Sequence, residues 1–130
     1  MPFTSVIDST RRLVITRGTG ALTGNEALAS CVQLKKEPEF DPSFNQLLDL
    51  TTATGLDATS EQIKRAASEP MFSKASRRAI VAHDSGVFGL ARMFETYHNL
   101  SGVGEQVMVF RDMHEALDWL HSATAHRAHH

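Results

Sequence analysis

Residues 77–100, RRAIVAHDSGVFGLARMFETYHNL, decide the fold. The apolar run at 79–82 has the length of a buried strand, and polar residues interrupt it directly afterwards. Asp84 or Ser85 then caps the helix that follows. The next apolar run, at 106–110, again has the character of a strand. Because a helix joins these two strands, we expect them to lie parallel in one sheet, joined by a right-handed crossover.

The rest of the chain repeats this alternation. Two strands close together in sequence predict an opening β-hairpin, and each later strand is followed by a helix. The order ββαβαβαβα predicts an α/β fold in a single domain, residues 1–123, with a polar His-rich tail at 124–130. The predicted strands are 4–8, 13–19, 44–50, 79–82 and 106–110, and the predicted helices are 23–36, 57–69, 84–99 and 112–122.

Composition narrows the class of protein. The chain has 130 residues, a net charge of −2 and one cysteine, Cys31, so it cannot form an internal disulfide. This favours a reducing, cytoplasmic compartment. The amino terminus has no signal-peptide pattern, and no window reaches the ~18 apolar residues of a membrane span. Basic residues are scattered, which argues against a nucleic-acid partner.

The turn at 82–86 contains His, Asp and Ser, the residue types of a catalytic triad. Neighbours in sequence cannot form such a relay, and the turn lacks the small residues of a nucleophile elbow. We therefore predict no catalytic residues, no metal site, no cofactor and no enzymatic activity. Helix capping is the favoured interpretation of this turn. The alternative is an anion held at the helix amino terminus by His83, Ser85 and Gly86.

Apolar residues cover an unusually broad arc of the third predicted helix. Six of them span about 160°, and Phe88 widens the arc to about 220°. The second predicted helix has a thin stripe instead, so it gains little from burial and should be held less firmly. Core packing explains this surplus most simply. The alternative is an apolar groove between the two helices, lined by Met71, Phe72, Phe88, Met93 and Phe94, for a small lipid-like ligand, a protein partner or a membrane surface.

Several segments resemble a known family. Residues 48–60, LDLTTATGLDATS, resemble the central motif of STAS domains, the anti-sigma-factor antagonist fold, with Asp49 and Asp57 eight residues apart as in that motif. The segments RRAIVA (77–82), FGLARMFE (88–95) and VFRDMHEALDWL (109–120) resemble the SpoIIAA-like, STAS-related family of small bacterial proteins. This resemblance covers nearly the whole chain. It implies a β-α superhelix whose successive parallel strands lie side by side.

The resemblance also implies two functions. Thr59 stands where STAS antagonists carry a regulatory phosphoserine, with Ala58 and Ser60 in place of the flanking Ser and Gly. A role of this kind would make Asp57, Thr59 and Ser60 part of a regulatory protein–protein module, although a plain helix cap is the alternative. The SpoIIAA-like branch is also similar in fold to CRAL-TRIO lipid-binding domains, which implies an apolar ligand or a membrane.

The leading hypothesis is therefore a non-enzymatic domain that binds a small apolar or lipid-like ligand and associates with membranes. The alternative is a STAS-type regulatory module that binds a protein partner. A homodimer is also expected, because helices mainly on one face of a sheet leave the other face to be covered.

Overall fold

The strands and helices follow the predicted alternation, with two additions. The computed structural model describes residues 2–128, and the side chains of residues 2–122. Side chains of the predicted His-rich tail, 124–130, lie outside that range. The elements are β1 (Phe3–Asp8), β2 (Leu13–Gly18), β3 (Gly20–Thr23), α1 (Gly24–Lys36), β4 (Asn45–Leu50), β5 (Ala53–Asp57), α2 (Ser60–Ser68), β6 (Arg77–Ala82), α3 (Ser85–Ser101), β7 (Gln106–Phe110) and α4 (Met113–Ala128).

Five strands form the main sheet, in the order β1-β2-β4-β6-β7. β1 and β2 are antiparallel, and the other neighbours are parallel. The register places Leu47 of β4 between Ile15 of β2 and Ala79 of β6. This confirms the opening hairpin and the series of parallel strands that the sequence predicts.

The two added strands, β3 and β5, pair with each other in a small parallel sheet. Each follows closely on a strand of the main sheet, and Leu22 of β3 lies opposite Leu56 of β5. Gly20 has a φ of 76°, a conformation that favours glycine and lets the chain leave β2 abruptly. The sequence did not predict these strands, because short segments rich in Gly and Thr have the local character of turns.

The helices divide unequally between the two faces of the main sheet. α1, α2 and α3 lie on one side, where α3 contacts β6 and β7, whereas α4 lies on the other and contacts β4, β6 and β7. Alternate residues of each central strand therefore pack in different cores, one on each face of the sheet. Leu50, Ile80 and Val107 belong to the core beneath the three helices, and Leu47 and Ala79 belong to the core under α4.

Helix caps fix where each crossover begins. Thr23 and Glu26 form a capping box at the start of α1, as the sequence predicts for this segment. Asp84, and not Ser85, caps α3, because its carboxylate accepts a hydrogen bond from the Val87 backbone N–H at 3.0 Å. These caps start the helices at the carboxyl-terminal side of their strands, so each helix packs back onto the sheet.

Candidate functional site

A cavity of about 100 Å³ lies between the main sheet and the layer formed by α1, α2 and α3. The side chains of Leu48 and Ile80 form part of its floor on the sheet. Ile63 and Ala66 of α2 and Phe94 of α3 form part of its roof. Most of the wall is apolar, so the cavity suits an uncharged hydrocarbon group along most of its length.

Three polar side chains from adjacent strands interrupt this apolar wall: Thr16, Gln46 and Arg78. Gln46 and Arg78 lie opposite each other in the parallel register of β4 and β6. Gln46 Nε2 donates to Thr16 Oγ1 at 3.0 Å, and Arg78 Nε donates to Gln46 Oε1. Side chains alternate between the two faces along each strand, and all three of these point to the helix side of the sheet. They form one polar patch on the cavity wall.

Arg78 brings a permanent charge to this patch, although only 6% of the residue is exposed. Its guanidinium carbon lies 5.6 Å from the centre of the Phe72 ring and 5.2 Å from that of the Phe94 ring. Its Nη1 lies 3.4 Å from Glu105 Oε2. The two aromatic faces and the carboxylate together hold the guanidinium in place.

His98, on the last turns of α3, is buried beside Glu105. Its Nδ1 lies 2.9 Å from the Ala67 carbonyl oxygen, and its Nε2 lies 2.8 Å from the Glu105 carbonyl oxygen. A carbonyl oxygen only accepts hydrogen bonds, so both ring nitrogens must donate. A neutral imidazole has a single N–H, and this environment therefore selects the imidazolium. His98 also ties α2 to the segment that precedes β7.

The Glu105 carboxylate completes the buried cluster, with Oε1 3.4 Å from His98 Nε2. Its side chain raises the pKa of His98, although burial alone would lower it. Burial alone would raise the pKa of Glu105, but the nearby imidazole of His98 and the charge of Arg78 outweigh it and lower that pKa. Both shifts favour the charged forms of His98 and Glu105.

Comparison with solved structures identifies the architecture. No protein-family model and no curated protein sequence matches the chain. It is similar to the crystal structure of an uncharacterized protein of the DUF3478 family from Shewanella loihica PV-4, described as having a SpoIIAA-like fold. The TM-score is 0.58, at 20% sequence identity, over 91% of this chain and 93% of that one.

This chain has a SpoIIAA-like fold. That conclusion agrees with the resemblance of the sequence segments and with the observed order of strands. At this level of identity, the similarity shows the fold alone. No helix in the described part of the chain is long and apolar enough to cross a membrane.

In this SpoIIAA-like fold, the five residues predicted to line an apolar groove are not brought together. α2 packs directly on α3, and the cavity lies beneath the two helices. Met71 and Phe94 line it, whereas Phe72, Phe88 and Met93 do not. Phe72 packs edge-on against Phe40, with ring centres 5.4 Å apart. The broad apolar arc of α3 is broad because it contacts α2 and the sheet at once.

The other two sites predicted from the sequence lie at helix amino termini. Asp57, Thr59 and Ser60 are exposed where β5 meets α2. Thr59 caps α2, since its Oγ1 accepts from the Gln62 backbone N–H at 3.1 Å and Gln62 Oε1 accepts from the Thr59 N–H at 2.9 Å. The helix-cap interpretation is thus correct, and the regulatory role stays a prediction.

The proposed anion site follows β6. His83, Ser85 and Gly86 are exposed there, at the amino terminus of α3. The Asp84 carboxylate lies among them and already accepts the Val87 N–H. A second negative charge at this terminus would be repelled by Asp84, so the geometry disfavours an anion there.

Sequence reasoning missed Arg78, His98 and Glu105. Arg78 belongs to the doublet Arg77-Arg78, one of the scattered basic groups that argued against a nucleic-acid partner. A usable signal did exist for His98, because it follows Val87, Ala91 and Phe94 at helical spacing on the buried side of α3. Glu105 lies in a turn that carries no pattern of its own.

Proposed function

We propose that this protein is a non-enzymatic domain that binds a small, mainly apolar ligand in the cavity beneath α1, α2 and α3. The observation that carries the proposal is the cavity itself, about 100 Å³ with a mostly apolar wall. Protein interiors are normally close-packed, and unfilled volume of this size costs about 2 kcal/mol of stability. A ligand that fills the cavity would recover those lost contacts.

Access to the cavity would come from movement of α2. This helix has nine residues, of which Ile63 and Ala67 are buried. Its end is held by the buried contact between His98 and the Ala67 carbonyl. It is also held by an exposed ion pair between Lys35 and Glu69, with 2.8 Å between Nζ and Oε1, and such pairs contribute little. α2 therefore has the small buried surface expected of an element that opens locally while the sheet stays intact.

An Ala66→Phe substitution tests the cavity. Ala66 faces the cavity from α2, so a phenyl group there occupies the space that the ligand would take. We expect isoamyl alcohol to shift the amide resonances of Leu48, Ile63 and Ile80 in the wild-type protein, and this response to be lost in Ala66→Phe. Binding is measured by two-dimensional NMR titration.

Ala29→Phe is the matched control for that experiment. Ala29 is exposed on α1 and does not line the cavity, so this variant should bind as the wild type does. Shifts confined to another surface, or unchanged binding by Ala66→Phe, would contradict the proposal. Association with a membrane surface is a further prediction that the same samples can test, by flotation with lipid vesicles.

A regulatory protein–protein module is the second candidate function. It is favoured by the exposure of Asp57, Thr59 and Ser60 on one side of the molecule, where a partner can reach all three. Phosphate on Thr59 would meet the positive end of α2. Thr59→Glu should change the set of captured partners in a pull-down, and Thr59→Ser should not. Identical capture by both variants would remove this candidate.

A further inference from the structure

The buried cluster at the end of α3 has an unequal number of charges. Arg78 carries a permanent charge, and His98 takes its protonated form because both of its ring nitrogens face carbonyl oxygens. Glu105 is the anion that they share. All three residues are at least nine-tenths buried. Ionised groups in an apolar interior are costly unless they are paired. With two cations and one carboxylate, the cluster keeps one positive charge in excess.

Glu95, a buried carboxylate on α3, does not neutralise this excess positive charge. Its Oε1 lies 2.9 Å from Nη1 of the exposed Arg92, and its Oε2 accepts a hydrogen bond from the Val109 backbone N–H at 2.9 Å. The charge of Glu95 is thus neutralised by its own partner on α3. The excess charge of the cluster remains beside the cavity.

Arg78 is the member of the cluster that reaches the cavity wall. A guanidinium has five N–H donors, and the bonds described here use two of them, to Gln46 and Glu105. The contact to Glu105 is 3.4 Å long, against about 2.8 Å for a strong charge-assisted bond. Glu105 is divided between Arg78 and His98, so Arg78 is only partly neutralised.

We infer that the ligand of this cavity is a small carboxylic acid, whose carboxylate binds Arg78 and whose hydrocarbon part fills the apolar remainder. This inference rests on the proposed function and specifies its ligand class. A carboxylate supplies the one negative charge that the cluster lacks, and its two oxygens match the fork of a guanidinium. Gln46 and Thr16 hold Arg78 at the polar end of the wall, so the ligand has a fixed orientation.

The volume limits the size of the ligand. A water molecule takes about 30 Å³ in the liquid, so a cavity of about 100 Å³ has room for roughly three or four groups of that size. The three or four hydrocarbon groups of an acid with about four or five carbon atoms fill this volume, and movement of α2 makes room for the carboxylate beside Arg78. Isovalerate is therefore a suitable probe, and isoamyl alcohol is its neutral counterpart with the same carbon skeleton.

The test compares these two probes on the intact chain by NMR titration at neutral pH. We expect the wild-type protein to bind isovalerate at least tenfold more tightly than isoamyl alcohol. Arg78→Gln should lose at least tenfold in affinity for isovalerate and keep its affinity for the alcohol within about threefold. Arg17→Gln, at an exposed arginine of β2 on the opposite face of the sheet, is the control and should bind both probes as the wild type does.

Glu105→Gln provides a second variant in case Arg78→Gln does not fold. It removes the carboxylate that competes for Arg78, so affinity for isovalerate should rise about tenfold while that for the alcohol stays constant. Equal binding of the two probes by the wild type, or no gain in Glu105→Gln, would overturn the inference and leave the proposed function standing. Failure of both probes to bind in the cavity would overturn the proposed function as well.

Discussion

At the scale of single residues, the two arginines of the doublet have opposite environments. Arg78 is buried beneath the three helices, whereas Arg77 places its guanidinium carbon 4.9 Å from the centre of the Trp119 ring and donates to the Trp119 carbonyl at 2.9 Å. Strand alternation requires this division, because successive side chains point to opposite faces. The sequence could predict that one arginine points inward. It could not predict which one, since residues 79–82 are apolar on both faces.

Residue identities also explain why the cavity could be only partly predicted. Phe94 and Met71 line it, and both were expected to bind a ligand. Phe88 was expected there too, but its ring lies under the guanidinium of Arg111, 4.0 Å from ring centre to guanidinium carbon. The apolar arc of a helix predicts which side chains face inward, but it does not predict which residues they contact there. The contribution of Glu105 needed the tertiary structure, because its partner Arg78 lies 27 residues away in the sequence.

At the scale of elements, the predicted weakness of α2 leads to a test by hydrogen exchange. Loss of the Thr59 hydroxyl in Thr59→Ala removes an N-cap worth about 1 kcal/mol. Amides of α2 should then exchange about fivefold faster, while amides of β4 and β6 should keep their rates, because those strands open only with the whole domain.

Thr23→Ala is the matched control for that experiment, since it removes the equivalent cap from α1. It should speed exchange in α1 and leave α2 unchanged. If Thr59→Ala speeds exchange throughout the sheet instead, α2 does not open independently, and ligand entry beneath it would require global unfolding.

At the scale of the whole molecule, the order of strands and helices was predictable because each crossover has a local signal of its own. The second sheet was not predictable, since β3 and β5 are stabilised by each other and not by local pattern. The unequal helix layers follow from the same crossovers. α4 packs on β4, β6 and β7, and Val6 of the edge strand β1 is 62% exposed. The expected homodimer stays a prediction.

The buried cluster makes the stability of the whole domain depend on pH. The pKa of His98 is raised above its ordinary value of 6.5. Its contribution is therefore complete below pH 6.5 and is lost as pH rises through the folded-state pKa. The pKa of Glu105 is lowered from 4.5, so its contribution is complete above pH 4.5 and is lost as pH falls through its folded-state pKa. The two groups together favour maximal stability between pH 4.5 and pH 6.5.

His98→Gln separates this effect from the background. Urea unfolding of the wild type should show a free energy of unfolding that declines as pH rises above 6.5. The variant should lose roughly 1–3 kcal/mol at acidic pH, from a broken buried hydrogen bond, and should show a smaller decline. His83→Gln, at an exposed histidine, should keep the wild-type slope. A slope that survives in His98→Gln would mean that His98 is not the buried imidazolium, and the cluster would then have no excess charge for a carboxylate to balance.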